Sequence, residues 1–122
     1  AKLANQIIVG LTIGAVGEAI TLCEKAGADP IKMISALSGG WADSKVLQTH
    51  GKRMIDKDFS PKGKTSTHLK DMNNILECAN NFNTHLPISN LVKEMYKNLV
   101  ENGHGNDDHS SLYKEIERIN KK

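Results

Sequence analysis

The chain has 122 residues, 39% of them hydrophobic, with 16 Lys and Arg against 14 Asp and Glu and a formal net charge of +2. That length fits one domain with a core of its own, and the lysines alternate with acidic residues along the chain, which argues against a polyanion-binding surface and against nucleic acid as a partner. Cys23 and Cys78 have neither C-x-x-C spacing nor a disulfide framework around them and read as reduced core thiols of a cytoplasmic protein.

The first segment, Lys2 to about Ala26, carries apolar residues on nearly every face: Leu3, Ile7, Val9, Leu11, Ile13, Val16, Ile20 and Leu22. A helix of that kind is buried by its neighbours. Thr12, Glu18, Thr21 and three glycines interrupt its apolar run, which argues against a span of about 20 apolar residues and so against a membrane; no signal peptide is expected before it. Gly10, Gly14 and Gly17 fall on one face and suit tight packing against a second helix. No capping side chain precedes Lys2, which predicts that further chain lies upstream; loss of an initiator Met before Ala1 is the alternative.

Gly27 ends this helix, and Asp29-Pro30 caps and opens a second, from Pro30 to about Leu37. Ser38-Gly39-Gly40 breaks it, and Asp43 or Ser44 caps a third helix holding Val46, Leu47, His50 and Met54. A polar connection from Asp56 to Pro61 leads to a fourth, capped by Thr65, Ser66 or Thr67, with Leu69, Met72, Ile75, Leu76 and Ala79 at helical spacing. After the turn Asn80 to Asn83, Pro87 opens a fifth, whose stripe is Ile88, Leu91, Val92, Met95, Tyr96, Leu99 and Val100, closed by Asn102-Gly103. Asp108 caps a last helix with Leu112, Ile116 and Ile119. No strand alternation, hairpin signal or repeat interrupts the pattern. The fold class is all-α, a bundle of about six helices with a long buried first helix.

Lys2, Asn5 and Gln6 stand at i, i+3 and i+4 and share one side of the first helix. An ammonium beside two amides suits a hydroxy acid, the lysine exchanging a proton at the substrate oxygen and the amides orienting it; a solvated helix end explains the same spacing. His104, Asp107, Asp108 and His109 have metal-ligand chemistry, yet a glycine-rich loop followed by an Asp cap accounts for them, and no metal is expected. Trp41 either lines a pocket or anchors its loop. His50 and Met54 share a face and read as packing, and Lys62 and Lys64 as solvated. No G-x-G-x-x-G follows a strand, so no dinucleotide fold is expected within these residues.

The run Lys2-Leu3-Ala4-Asn5-Gln6, the segment Gly39-Gly40-Trp41-Ala42-Asp43-Ser44, Lys70-Asp71 after His68-Leu69, and the stretch Gly103 to Ser110 together resemble the β-hydroxyacid dehydrogenase family, which includes 3-hydroxyisobutyrate dehydrogenase and tartronate semialdehyde reductase. The resemblance runs in order over nearly the whole chain. It implies the C-terminal helical substrate and oligomerisation domain, residues 1–122, of an enzyme whose N-terminal Rossmann domain binds most of the NAD or NADP and lies outside this chain. It implies Lys2 as catalytic acid and base, Asn5 and Gln6 as substrate-binding amides, Lys70 as a cofactor contact and Asp71 as its support. Gln6 stands where most members carry Asn, which points toward the tartronate semialdehyde reductase branch. A protonated lysine donates as it stands and must lose a proton to act as base, so reduction of the semialdehyde is the easier direction near neutrality. The resemblance also implies a homodimer or homotetramer, for which the glycine face of the first helix is a candidate packing surface. The other reading of the chain is a stand-alone helical interaction module without catalysis.

Overall fold

The computed structural model describes residues 1–121. Among them six α-helices follow one another: α1 (Lys2–Lys25), α2 (Pro30–Leu37), α3 (Lys45–Asp56), α4 (Thr65–Asn81), α5 (Pro87–Leu99) and α6 (Leu112–Asn120). A π-type turn, Val100–His104, and a 3-10 turn, His109–Ser111, join α5 to α6. No strand occurs among the described residues, only an isolated bridge between Lys64 and Asp108.

The expected start signals act at three places. The Asp29 side chain accepts from Ile31 N at 2.9 Å, Ser44 Oγ from Leu47 N at 2.9 Å, and Asp108 Oδ2 from Ser110 N at 3.0 Å. Each occupies a backbone donor that a helix start leaves unpaired. The Asp108 bond opens the 3-10 turn, with α6 starting directly after it. Asp43, the other candidate cap of α3, instead accepts from Gly39 N at 2.7 Å and Ser44 N at 2.8 Å, closing the Gly-Gly turn.

No side chain caps α4, contrary to the expectation for residues 65–67: its N-cap position is Lys64. The free donors find backbone partners from the far loop, Thr65 N on Asp107 O at 2.9 Å and Ser66 N on Gly105 O at 3.0 Å. The Thr65 hydroxyl is fully buried and bonds Asp107 O, Asp108 O and Ser111 Oγ. A long-range polar cluster takes the place of a local cap.

α1 is the axis of the bundle and touches the other five helices. Its 24 residues are long and apolar enough to cross a membrane, with a window of mean hydropathy 1.7. Gly10, Ile13, Gly14, Val16, Gly17 and Ile20 form its buried face, as in a core helix, while Ile8 and Leu22 on other sides are exposed, at 67% and 72%. The glycines lie inside the bundle and are therefore not available as a seam between copies. At Gly17 an added Cβ would meet Ile116 Cδ1 of α6 at 2.8 Å, the close approach that the spacing suggested, and at Gly10 it would meet the His68 ring at 2.8 Å.

The core includes Ile13, Val16, Ile20, Leu47, Met54, Met72, Ile75, Val92, Tyr96, Leu99, Leu112 and Tyr113; full burial of an apolar side chain of this size contributes about 1.5 to 3 kcal/mol. Ile88 and Leu91, placed on the α5 stripe by their spacing, are exposed, as is Ile119 of α6. Cys23 and Cys78 are free thiols, half-buried at the margin of the core and not within it. Trp41 is fully exposed, neither wall nor anchor among the described residues.

Candidate functional site

The first turns of α1 lie against the middle of α4. Gln6 Nε2 donates to Asp71 Oδ2 at 2.8 Å, and Asn5 Nδ2 donates to Gln6 Oε1 at 3.3 Å. Three residues singled out from sequence thus form one hydrogen-bonded chain, Asn5 to Gln6 to Asp71, across 65 positions of separation. The bond to Asp71 involves an ionisable carboxylate, the stronger class of hydrogen bond.

Lys2 precedes Gln6 by one helical turn and shares its face. It is exposed and makes no hydrogen bond or ion pair among the described residues. Lys70 is exposed next to Asp71; one step along a helix is about 100° of rotation, so it leaves α4 in a different direction from Asp71 and stays outside the amide chain.

Beneath this turn the structure holds a polar cluster that sequence reading did not assemble. His68 of α4, only 2% exposed, has its Nδ1 2.8 Å from His109 Nδ1 and its Nε2 3.3 Å from the Gln6 carbonyl. Its ring stacks on buried Tyr96 at 4.9 Å with 15° between planes. His50 meets His109 edge-on at 4.8 Å. Residues 65, 68, 72, 75 and 79 are the buried face of α4, and that period, i, i+3, i+7, i+10, i+14, was the signal that His68 points inward. For His109 no local signal exists.

Asp108, fully buried, anchors the cluster. Oδ1 accepts from Lys62 N at 3.0 Å and Gly63 N at 3.1 Å; Oδ2 accepts from Ser110 N at 3.0 Å and Ser110 Oγ at 2.5 Å. Burial raises its pKa, but the Ser110 hydroxyl and the amides of Gly63, Lys62 and Ser110 outweigh it and hold the carboxyl at about 2. Burial and the charge of neighbouring His68 depress His109 to about 4; burial likewise lowers His68 and His50. Each of these three shifts favours the neutral imidazole.

His50, Asp108 and His109 bring three ligand-type atoms within 4.8 Å of one another. A divalent cation there would compete with four donors already on the Asp108 oxygens, and Arg53 Nε stands 3.5 Å from Oδ2. A guanidinium at that distance repels a second cation. His50 Nδ1 and Arg53 Nε are buried without a hydrogen-bond partner of their own among the described residues, but the occupied Asp108 oxygens and the nearby guanidinium fit an ion-paired cluster better than a metal centre.

A family model described as NAD-binding of NADP-dependent 3-hydroxyisobutyrate dehydrogenase matches residues 1–116. The 2-hydroxy-3-oxopropionate reductase of Escherichia coli (strain K12) is 43% identical over 116 residues, which cover 95% of this chain and 40% of that protein. A probable 3-hydroxyisobutyrate dehydrogenase-like 1, mitochondrial, of Arabidopsis thaliana is 32% identical over 120 residues, 98% of this chain and 36% of that protein. The crystal structure of a 3-hydroxyisobutyrate dehydrogenase from Salmonella typhimurium superimposes with a TM-score of 0.87 at 23% identity, covering 93% of this chain and 40% of that one. That likeness establishes the helical fold. The chain spans 40% or less of the length of these curated relatives.

Proposed function

Because the chain belongs to the family described as NAD-binding of NADP-dependent 3-hydroxyisobutyrate dehydrogenase, we propose that it is the helical C-terminal part of an NAD(P)-dependent oxidoreductase interconverting a short β-hydroxy acid and its semialdehyde. In this reading a Rossmann domain precedes it in the full-length protein. The 43% identity to a 2-hydroxy-3-oxopropionate reductase favours a semialdehyde of that type as substrate.

The observation that carries the reading is the turn of α1 where Lys2 stands one turn before a Gln6 fixed by Asp71. Lys2 gives a proton to the carbonyl oxygen during reduction and takes it back from the hydroxyl during oxidation. Asn5 and Gln6 each keep one amide N–H outside their mutual bonds and orient the substrate's oxygens with it. Lys70, with no counter-charge among the described residues, suits the hydroxyl and amide oxygens of a nicotinamide nucleotide, with Asp71 fixing the helix turn beside it. The nucleotide, when bound, supplies or accepts the hydride. Cys23 and Cys78 remain thiols, which suits the cytoplasm.

Association into a homodimer or homotetramer belongs to the same proposal and is supported by the apolar side chains of α1 that this bundle leaves exposed, Ile8 and Leu22. Light scattering that gives a monomer of the full-length protein would count against it.

Reductive kinetics on the full-length protein test the assignment. Lys2→Ala is expected to lower kcat by about a hundredfold or more, the scale of a general acid. Lys70→Ala is expected chiefly to raise KM for the nucleotide. Small and equal effects of both would overturn the proposal.

A further inference from the structure

Gln6 is held twice by one face of α4: its side chain by Asp71, and its carbonyl by His68 Nε2 at 3.3 Å. We propose that His68 is a positioning residue for the reaction assigned above, a clamp between the Gln6 turn of α1 and His109 that fixes the Asn5–Gln6–Asp71 chain relative to Lys2. The inference rests on the oxidoreductase reading.

The clamp has one proton arrangement. A carbonyl only accepts, so His68 Nε2 carries the hydrogen, and in a neutral ring Nδ1 is then an acceptor. The His109 nitrogen 2.8 Å away must therefore donate, which makes His109 the Nδ1–H tautomer. The Gln6 carbonyl already belongs to the α1 ladder, so His68 uses its second lone pair. Access to that lone pair depends on Gly10, because a Cβ there would lie 2.8 Å from Nε2. Stacking on Tyr96 fixes the ring plane. The titratable and charged groups around the pair are His50 and Arg53 from α3, Asp71 from α4, Tyr96 from α5 and Asp108 from the loop before α6.

His68 and Asp71 are three residues apart on α4 and Lys2 and Gln6 four apart on α1, so the gripped faces include the proton donor's own turn. A displacement of about 1 Å in such a turn can cost on the order of a hundredfold in rate. A ring that merely filled space would be replaceable by another ring of its size.

His68→Phe keeps a planar ring for the stack on Tyr96, in a somewhat larger volume, and removes both hydrogen bonds; His68→Gln returns an amide N–H that can reach the Gln6 carbonyl. In the full-length protein reducing 2-hydroxy-3-oxopropionate, His68→Phe is expected to lower kcat about tenfold with little change in KM for the nucleotide, and His68→Gln to recover most of the loss. Wild-type kcat in His68→Phe, or equal losses in both variants, overturns the proposal. Lys2→Ala in the same assay keeps the two readings apart, since its wild-type rate would sink the assigned reaction whatever the His68 variants do. Nitrogen-15 NMR of the imidazoles gives a readout independent of turnover: Nε2–H at His68 with Nδ1–H at His109 supports the clamp, and any other pair of tautomers overturns it.

Discussion

The side-chain amide of Gln6 donates to Asp71 across 2.8 Å, joining the first turns of the longest helix to the middle of α4. Loss of a partly buried hydrogen bond to a carboxylate costs about 1.5 to 3 kcal/mol. Asp71→Ala is expected to destabilise the fold by that amount, about 1.5 to 3 kcal/mol, and to free the Gln6 amide, so that KM for the semialdehyde rises in the full-length protein. Urea unfolding and steady-state kinetics check both. Unchanged stability would mean that the bond is not maintained in solution.

Gly10 and Gly14 of α1 should answer differently to alanine. At Gly14 the nearest atom to an added Cβ is Leu112 Cδ2 at 3.6 Å, an ordinary contact, whereas at Gly10 it is His68 Nε2 at 2.8 Å. Gly14→Ala is therefore expected to stabilise by about 0.5 to 1 kcal/mol through helix propensity. Gly10→Ala must push the imidazole off the Gln6 carbonyl and lose more than that gain. Thermal melts of the two variants should move in opposite directions.

The helix starts were legible because their chemistry is local. Asp29 reaches Ile31 and Ser44 reaches Leu47, two and three residues away, so the order of residue types is enough to find them. The start of α4 was misread because Thr65 bonds partners 42 to 46 residues distant, and nothing local marks that. Lys2, Asn5 and Gln6 came together from helical spacing alone; the pairing of Gln6 with Asp71 needed the α1–α4 packing. His109 looked like part of a polar loop, and only the fold brings its ring to His68. Ile88 and Leu91 have the right period for a buried stripe, but the neighbours of α5 cover Ser89, Val92, Tyr96 and Leu99 instead. Periodicity sets the spacing of a face and leaves open which part of it is covered.

Lys57 ends α3 in the left-handed region at φ 56°, and its Nζ donates to Tyr113 Oη at 2.9 Å. Two effects oppose one another at this position. Glycine relieves about 1 kcal/mol of backbone strain and alanine does not, while both delete the bond to Tyr113. Lys57→Gly should therefore lie close to the wild type and above Lys57→Ala by about 1 kcal/mol in urea unfolding. Equal stability of the two variants would show that the left-handed conformation is not retained.

The buried histidines make the fold sensitive to acid. Burial first, then the charge of His68, depress His109 from 6.5 to about 4, so between those values the unfolded chain binds a proton that the folded one refuses. Stability from this residue is complete above pH 6.5 and falls as the pH drops toward 4, by about 1 kcal/mol per pH unit at most. His50 and His68, lowered by burial as well, act in the same direction. Asp108, held at about 2 against an ordinary 3.8, adds a second loss that sets in below about pH 5, as its carboxylate becomes protonated on unfolding. Unfolding free energies at pH 7, 6 and 5.5 should therefore already decline above the range in which the depressed carboxylates of Glu115 and Asp108 contribute, and His109→Phe should flatten that part of the decline. A wild-type curve level from pH 7 to 5.5 would mean that the cluster accepts protons without cost, against the burial of its imidazoles beside the Arg53 guanidinium.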